Sequence, residues 1–356
     1  MTSAGTSLLS RREHDVALAP LTTLRVGGHA ASYLEANTDD ELVSTVAACD
    51  EAGEPLLVLS GGSNVVVADT GFGGTVVKVA TRGIYELRDG DDVVVTIAAG
   101  ESWDRFVARA VSDGWAGVEL LSGIPGSVGA TPIQNVGAYG REVAEVITQV
   151  TAYDRNAREI VEIPAGECGF GYRSSSFKKQ PGRWVVLSVT MHLVAGAPSA
   201  PIRYADLADR LDLARGDTTS PIRVRRAVLD VRRSKGMVLD IDDHDTWSVG
   251  SFFTNPVVAP QFSAQLPDEA PRWPMRDGLI KLSAAWLIDH SGFGKGWPHD
   301  PQKKAGLSTK HSLAITNRGG ASATEIVELA REVRDGVRAE TGITLVPEPV
   351  LVGLTF

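Results

Sequence analysis

Three glycine-rich segments constrain this chain more than any other feature of its sequence. They are SGGSN at residues 60–64, TGFGG at 70–74 and GIPGSVGA at 123–130. Glycine lets a backbone approach a ligand closely and point successive amides at one anion. None of the three has the G-x-G-x-x-G spacing of the dinucleotide fingerprint or the G-x-x-x-x-G-K-S/T spacing of the phosphate-binding loop, and neither does GFGKG at 292–296. The sequence therefore argues against a nicotinamide or ATP site of the usual kinds.

A single loop of this kind is typical of a hairpin turn. Several such loops in one half of the chain, with hydroxyls and amides among the glycines, favour a large phosphate-bearing cofactor. The polar residues set among them are Ser60, Ser63, Asn64, Ser122, Ser127, Gln134 and Asn135.

The bulk properties exclude several classes of protein. With 356 residues the chain is long enough for two or three domains. Its net charge of -9 argues against a protein whose whole surface binds nucleic acid or anionic lipid. Cys49 and Cys168 are too few and too far apart for a disulfide framework or a zinc site, and the seven histidines show no ligand spacing, so we expect no metal. Without the apolar core of a signal peptide or a membrane-spanning run, we expect a cytoplasmic protein.

Short strands alternate with helices along the whole chain. Strands and glycine turns fill residues 55–100, a helix capped by Ser102 ends at Gly114, and strand-like runs follow at 145–154 and 184–194. Beyond residue 200 the composition changes. We expect helices at 204–214, 222–236, 281–292 and 322–342, the last with Ser322 and Glu325 at capping-box spacing, and strands at 311–316 and 343–353. This pattern indicates an α/β or α+β protein, since no βαβ unit repeats regularly.

Five motifs, two of which contain glycine loops named above, follow one another along the chain: SGGSN, ELLSGIPGSVGATPIQNVGAYG, FGYRSSSFK, GSFFTNP and LVPEPVLVG. They are preceded by TLRVGG at 23–28. In this order they resemble the UDP-N-acetylenolpyruvoylglucosamine reductase family over nearly the whole chain. The resemblance implies an α+β fold, with a two-lobed FAD-binding domain of the vanillyl-alcohol-oxidase (PCMH) type at 17–200. Its lobes would cover about 17–80 and 81–200. A substrate-binding domain would follow at 201–356, with a final strand able to return to the first lobe.

The family implies an NADPH-dependent reduction in peptidoglycan synthesis. UDP-N-acetylglucosamine enolpyruvate becomes UDP-N-acetylmuramate, as hydride passes through N5 of FAD to the vinyl carbon. NADPH and the sugar nucleotide would use one cleft in turn, in a monomer without nucleic acid or membrane partners.

The resemblance also assigns residues to the cofactor. Two of the glycine loops would line the FAD pyrophosphate, and an arginine of the basic helix would reach FAD or a phosphate, although such a helix is more often a solvated face. These residues are Ser60, Gly61, Gly62, Ser63, Asn64, Gly123, Ile124, Pro125, Gly126, Ser127, Gly129, Ala130 and Arg232.

Three residues match the catalytic positions of the family. Arg173 would bind the substrate carboxylate, for which a guanidinium offers a rigid, permanently charged fork. Ser251 would donate a proton, which a weak acid can do here because the carbon left after hydride addition is strongly basic. Glu348, between two prolines, would stabilise the developing charge, and an apolar site would raise its pKa.

A further set would hold the sugar nucleotide: Tyr172, Tyr204, Lys235, Asn255 and His311. Tyr204 would close over the diphosphate. The polar segment at 295–310 is longer than the family pattern leads us to expect, and His311 stands where a glutamine-like side chain would be expected.

Two other functions fit parts of this pattern. A flavin oxidase of small alcohols or sugars in the same fold superfamily would lack the set of Arg173, Ser251 and Glu348. A non-catalytic nucleotide-sugar binding protein would keep the loops but would not be yellow when purified. Flavin absorption bands that bleach with NADPH distinguish the reductase from the binding protein.

Overall fold

The computed structural model of the chain describes residues 11–275 and 277–356. The chain forms two compact units, each assembled from separate stretches of sequence. The first unit contains the described residues up to Val16, together with 30–61 and 73–233, and the second contains 17–29, 62–72 and 234–356. These units are defined by contacts, and the domain boundaries inferred from the sequence stay a prediction.

Two β-sheets form the framework of the first unit. Their strands, together with a two-stranded pair, are β1 (Glu13–Ala17), β2 (His29–Ala36), β3 (Leu56–Leu59), β5 (Phe72–Val79), β6 (Ile84–Asp89), β7 (Asp92–Ala98), β8 (Trp115–Ala116), β9 (Gly137–Ala138), β10 (Arg141–Glu142), β11 (Ile147–Asp154), β12 (Glu159–Pro164) and β13 (Trp184–Ala195). One sheet has the order β1-β2-β5-β3, with β3 and β5 parallel. The other has the order β12-β11-β13-β7-β6, with antiparallel neighbours and β8 beside β13.

The larger sheet buries one of its faces. Along β7 the side chains of Val93, Val95 and Ile97 are buried, whereas Asp92 and Val94 point outward. This period of two is the pattern expected of a strand that covers a core on one side only.

The helices of the first unit are α1 (Asp39–Ala52), α2 (Trp103–Ser112), α3 (Ser176–Lys179), α4 (Ala205–Leu211) and α5 (Pro221–Ser234). Helix α2 confirms the predicted helix, because it starts directly after Ser102 and ends just before Gly114, whose φ is +76°. The predicted cap is wrong, since the Ser102 side chain accepts no hydrogen bond from the helix amides. Its buried face contacts the main core, and the Trp103 indole donates a hydrogen bond to the carbonyl of Leu121 at 2.9 Å. Helices α4 and α5 share a separate small core around Ile202.

Among the residues that the structure describes, the second unit contains smaller sheets and three α-helices. Its strands are β4 (Val65–Val67), β14 (Val257–Val258), β15 (Arg272–Pro274), β16 (Ile280–Leu282), β17 (Ala305–Leu307), β18 (Ile315–Asn317) and β19 (Val350–Val352). Strand β19 pairs in parallel with β4, and the other neighbouring pairs are antiparallel. The helices are α6 (Pro260–Ser263), α7 (Ala284–His290) and α8 (Ala323–Thr341).

The capping box predicted for α8 is confirmed, since Ser322 and Glu325 exchange side-chain to backbone hydrogen bonds. Within the described parts of the chain, no helix combines the length and apolar character needed to cross a membrane.

Two strands expected from the sequence are shorter than predicted. The run 311–316 begins as a turn, because the Ser308 hydroxyl accepts hydrogen bonds from the amides of Lys310 and His311, and only Ile315–Asn317 is extended as β18. The run 343–353 contributes only β19, because Pro347 and Pro349 lack the N–H groups that a sheet ladder needs.

Candidate functional site

In the first unit, two of the predicted phosphate-binding loops lie against each other. A Cβ atom built on Gly61 would fall 2.9 Å from the carbonyl carbon of Gly126 and 3.0 Å from the amide nitrogen of Ser127. Only glycine at position 61 permits this approach, because real Cβ contacts are longer. The structure therefore brings residue 61 of SGGSN next to the middle of GIPGSVGA.

The loop at 123–130 is held against the start of helix α2. The amide of Gly123 donates to Asp104 at 2.6 Å, and the carbonyl of Gly126 accepts from the amide of Trp103 at 3.0 Å. The amide of Gly129 donates to the Ala99 carbonyl at 2.9 Å, and a Cβ on Gly129 would lie 2.5 Å from that of Ala99. These contacts fix the loop conformation. At position 129 only glycine fits against Ala99.

Asp104 connects this loop to helix α5. Its carboxylate accepts two hydrogen bonds from the Arg225 guanidinium, at 2.6 and 2.9 Å, in addition to the one from Gly123. Burial raises the pKa of Asp104, but these hydrogen bonds lower it overall, below its usual value. Asp104 therefore stays ionised at neutral pH and anchors the loop through a charge-assisted pair.

The residues of the two loops fit a dinucleotide cofactor. The Ser60 carbonyl accepts from Lys78, and the Ser60 hydroxyl oxygen is buried with no hydrogen-bond partner among the described residues. A buried hydroxyl needs such a partner. A phosphate oxygen of bound FAD would supply one, beside glycines whose backbone a phosphate can approach.

Arg173 lies at the tip of a tight turn in the first unit. Gly171 and Ser174 exchange both backbone hydrogen bonds, at 3.0 and 3.1 Å, so that Tyr172 and Arg173 occupy the two central positions. Arg173 has a φ of +50°, a left-handed conformation that few non-glycine residues adopt. Its guanidinium donates to the carbonyl of Gly137 at 2.9 Å and lies 5.7 Å from the Tyr172 ring.

Two other predicted ligands of the first unit lie near the QNVGAYG motif. The Tyr204 ring meets the Tyr139 ring edge to face at 5.9 Å, and Tyr204 remains 47% exposed. Arg232, in helix α5, has Tyr139 and Asp104 as electrostatic neighbours. Burial lowers the pKa of the Arg232 guanidinium, and those two neighbours oppose the shift.

In the second unit, the segments that carry Ser251 and Glu348 run side by side. The amide of Glu348 donates to the carbonyl of Phe252 at 2.8 Å, and Phe253 pairs with Pro347 in an isolated antiparallel bridge. Ser251, one residue earlier, is half-buried. Phe252 and Phe253 are 0% and 1% exposed and anchor the segment in the core.

Asn64 of SGGSN joins the same arrangement. Its side-chain amide donates to the Glu348 carbonyl at 3.3 Å, and its own carbonyl accepts from the amide of Val350 at 3.0 Å. The backbone of Glu348 is therefore bonded both to the Ser251 segment and to the glycine loop.

The other predicted substrate ligands of the second unit differ in their surroundings. The Asn255 side-chain oxygen accepts from the amide of Ala284 at 3.0 Å, so this side chain also caps helix α7. Burial, with the charges of Lys235 and Lys295, lowers the pKa of His311 to about 4. His311 is consequently neutral at pH 7, and Lys235 and Lys295 are cations in its neighbourhood.

Several residues that the sequence did not single out support these positions. Lys295 belongs to GFGKG, whose glycine spacing matches no phosphate-binding loop. Arg318 holds its loop, donating to the carbonyls of Gly296 at 2.7 Å and Pro298 at 3.0 Å. No local motif signals Asp104 or Arg318, because their partners are distant in sequence.

The predicted residues divide between the two units. Arg173, Tyr172, Tyr204 and Arg232 belong to the first, and Ser251, Glu348, Lys235, Asn255 and His311 to the second. Their individual roles stay predictions. Among residues 11–275 and 277–356, no group of three or more histidine, cysteine, aspartate or glutamate side chains could hold a metal ion.

The fold and the glycine loops define a class of flavin-binding enzymes. The model of the "FAD binding domain" family matches residues 30–162, which include both loops. The model of the "UDP-N-acetylenolpyruvoylglucosamine reductase, C-terminal domain" family matches residues 242–352, which include Ser251 and Glu348. The predicted α+β fold, with an FAD-binding domain ahead of a substrate-binding domain, is confirmed.

Relatives place the chain more narrowly. It is 55% identical over 353 residues to the UDP-N-acetylenolpyruvoylglucosamine reductase of Cutibacterium acnes, an alignment covering 99% of this chain and 93% of that protein. The enzyme of Salinispora arenicola is 54% identical over 94% of each chain. A crystal structure of the reductase from Thermus caldophilus matches with a TM-score of 0.65 at 25% identity, covering 96% of this chain and 98% of that one. The chain belongs to the UDP-N-acetylenolpyruvoylglucosamine reductase family.

Proposed function

We propose that this protein reduces UDP-N-acetylglucosamine enolpyruvate to UDP-N-acetylmuramate with FAD as cofactor and NADPH as electron donor. This reaction completes a peptidoglycan precursor and so serves cell-wall synthesis, cell shape and division. The observation that carries the proposal is the pairing of the Ser251 segment with Glu348. Within one unit the Ser251 segment runs alongside Glu348, and Asn64 of a glycine loop is bonded to the Glu348 carbonyl, which supports a shared role for the Ser251 hydroxyl and the Glu348 carboxyl.

Hydride addition to the terminal vinyl carbon leaves negative charge on the adjacent carbon. The chemistry therefore requires a proton donor for that adjacent carbon and a group that stabilises the charge. FAD, when bound, carries two electrons from NADPH to the terminal vinyl carbon. Ser251 then gives its proton to the adjacent carbon, which is basic enough to take it from a hydroxyl. Its segment is anchored by the buried rings of Phe252 and Phe253, which supports a fixed backbone position for Ser251.

Arg173 binds the carboxylate of the enolpyruvyl group. The negative charge that hydride addition creates is delocalised into this carboxylate, so a fixed guanidinium stabilises the transition state more than the ground state. The tight turn and the bond to the Gly137 carbonyl support this role because they fix the guanidinium in advance. Glu348, with its carboxyl protonated, donates a hydrogen bond to the same developing charge.

The nucleotide part of the substrate is held by cations and polar groups. Lys235 and Lys295 bind the diphosphate as point charges, and neutral His311 contributes hydrogen bonds without adding charge. Asn255, whose oxygen caps helix α7, contacts substrate through its side-chain nitrogen. Tyr204, with about half of its surface exposed, closes over the diphosphate.

The same proposal covers the cellular setting. We place the enzyme in the cytoplasm as a monomer, with small-molecule partners only. Cys49 and Cys168 are both free and buried, which suits a reducing compartment. Light scattering at micromolar concentration tests the monomer, and a mass twice that of the chain would contradict it.

Replacing Ser251 by alanine tests the mechanism. In stopped-flow experiments on the FAD-loaded protein, Ser251→Ala is expected to leave flavin bleaching by NADPH unchanged. Reoxidation by the enolpyruvyl substrate should slow by about 10²- to 10⁴-fold, the usual contribution of a general acid.

Thr254→Val is the matched control, because it removes a hydroxyl three positions along the same segment and should alter neither step. An equal loss in both steps of Ser251→Ala would show that the serine is structural. A folded protein that cannot be loaded with FAD would refute the function itself.

A further inference from the structure

We infer that Asn135 is a positioning residue for Arg173. Its side chain holds the base of the turn that presents the guanidinium, and its backbone carbonyl lies against that guanidinium. The inference deepens the proposed function and depends on the role proposed there for Arg173.

The Asn135 side chain is almost completely buried, with 1% of its surface exposed. Its amide nitrogen donates to the Gly171 carbonyl at 3.1 Å and to the Glu142 carboxylate at 2.7 Å, and its oxygen accepts from the amide of Ala144 at 3.1 Å. Both N–H groups and the oxygen are thus used. Gly171 is the residue whose hydrogen bonds with Ser174 close the Arg173 turn.

The backbone of the same residue meets Arg173 from the other side. The Asn135 carbonyl is 3.5 Å from one guanidinium nitrogen, and the Gly137 carbonyl accepts from another at 2.9 Å. One buried residue therefore contacts both ends of the arginine: its side chain holds the turn, and its backbone carbonyl lies by the charged group. Lys178 adds a third restraint by donating to the Arg173 carbonyl at 3.1 Å.

The chemistry of this position selects asparagine. Asn135 has a φ of +48°, a left-handed conformation that asparagine and aspartate tolerate better than most side chains. Aspartate has the same shape but no N–H groups to donate. It would place a carboxylate against the Gly171 carbonyl and the Glu142 carboxylate, which repel it. Glycine would keep the backbone conformation and the carbonyl while removing all three side-chain bonds.

The expected effect is selective for one step of catalysis. A small misplacement of a catalytic group can cost on the order of 10²-fold in rate. Asn135→Asp is therefore expected to slow flavin reoxidation by the enolpyruvyl substrate by about 10²-fold. It should also weaken substrate binding to the oxidised protein, measured by calorimetry, while flavin content and bleaching by NADPH stay as in the unchanged protein.

A double-mutant cycle separates positioning from simple destabilisation. If Asn135 acts through Arg173, then Asn135→Asp slows reoxidation in the original protein but adds nothing in an Arg173→Ala background. Asp154→Asn is the control: Asp154, the last residue of β11, is 3% exposed and accepts hydrogen bonds from Arg183 and from the Asn156 amide, the latter at 2.9 Å. It should lower the melting temperature without affecting either flavin step.

Several results would overturn the inference. Equal slowing by Asn135→Asp with and without Arg173 would make Asn135 a structural residue only. Reoxidation unaffected by Asn135→Asp, with Arg173→Ala strongly slowed, would refute the inference and leave the proposed function intact. If Arg173→Ala leaves reoxidation unaffected, this result refutes both the inference about Asn135 and the role proposed for Arg173. If Asn135→Asp does not fold, Asn135→Gly takes its place in the cycle, with the same expected and contrary outcomes.

Discussion

The contact between Gly61 and Gly126 allows a direct test of the cofactor loops. Gly61→Ala would place its Cβ atom closest to the Gly126 Cα and only 2.9 Å from the Gly126 carbonyl carbon, whereas ordinary contact begins at 3.4 Å. The opposing atoms belong to a backbone that is bonded to Trp103, so no flexible side chain can move aside. The loops must separate, or the protein must tolerate a strained contact.

The size of the effect follows from the cost of overpacking. Inserting a methyl group into a well-packed region typically costs about 1–3 kcal/mol. If the loops separate, this cost reduces FAD affinity by about 5- to 150-fold, since 1.4 kcal/mol is tenfold. If they stay together, it reduces the free energy of unfolding by a similar amount. We expect the first outcome to dominate, because both loops are at least partly accessible to a ligand.

The assay combines two measurements on each variant. FAD affinity is measured by equilibrium titration of the apoprotein, and the free energy of unfolding by urea denaturation of the same apoprotein. Gly73→Ala is the matched control, because a Cβ on Gly73 in strand β5 has no heavy atom within 4 Å. A Gly61→Ala protein with unchanged FAD affinity and unchanged stability would refute the reasoning, and so would an equal loss in Gly73→Ala.

Two further predictions concern charged and titrating groups. Asp104→Asn should weaken FAD retention and lower the free energy of unfolding at pH 7 by about 1–3 kcal/mol. The folded-state pKa of Asp104 lies below its usual value, so this difference in the free energy of unfolding should be present above about pH 4 and shrink as the pH falls through the folded pKa. Urea titrations at several pH values measure the difference, and a difference that grew in acid would contradict the prediction. His311 has a folded pKa of about 4 against an ordinary 6.5, so the unfolded state binds more protons between these values and stability falls as the pH drops through that window. His311→Gln should flatten this part of the stability profile, and an unchanged slope would show that His311 does not titrate in this way.

Features governed by neighbouring residues were predicted well from the sequence. The capping box of α8 involves Ser322 and Glu325, three positions apart, and the end of α2 depends on Gly114 directly beyond it. Each of these patterns is fixed by local backbone geometry, which a single sequence contains in full.

Features that depend on distant partners were not predicted. The resemblance implied that a final strand could return to the lobe at 17–80, but not that β19 would pair in parallel with β4, near residue 66. The Asp104 carboxylate meets Arg225, 121 positions away, and no local pattern predicted this pair. Gly61 fits against Gly126 only after both loops have folded. Composition and spacing identify such residues as glycine or as charged, but tertiary packing decides what they contact. Family resemblance supplied the candidate site because it records those contacts indirectly.

The segment GSFFTNP shows why structural and catalytic interpretations of one sequence need not compete. Read locally, it is a turn at Gly250, whose φ is +75°, leading into buried aromatic residues, and the structure has both features. The same burial of Phe252 and Phe253 fixes the backbone on either side, so that the carbonyl of Phe252 can accept from the Glu348 amide at 2.8 Å. A weak acid such as serine contributes to catalysis only when its hydroxyl is already aimed at the carbon that needs the proton. The aromatic pair, which by itself indicates only a hydrophobic core, therefore provides the rigidity that the proposed proton transfer from Ser251 requires.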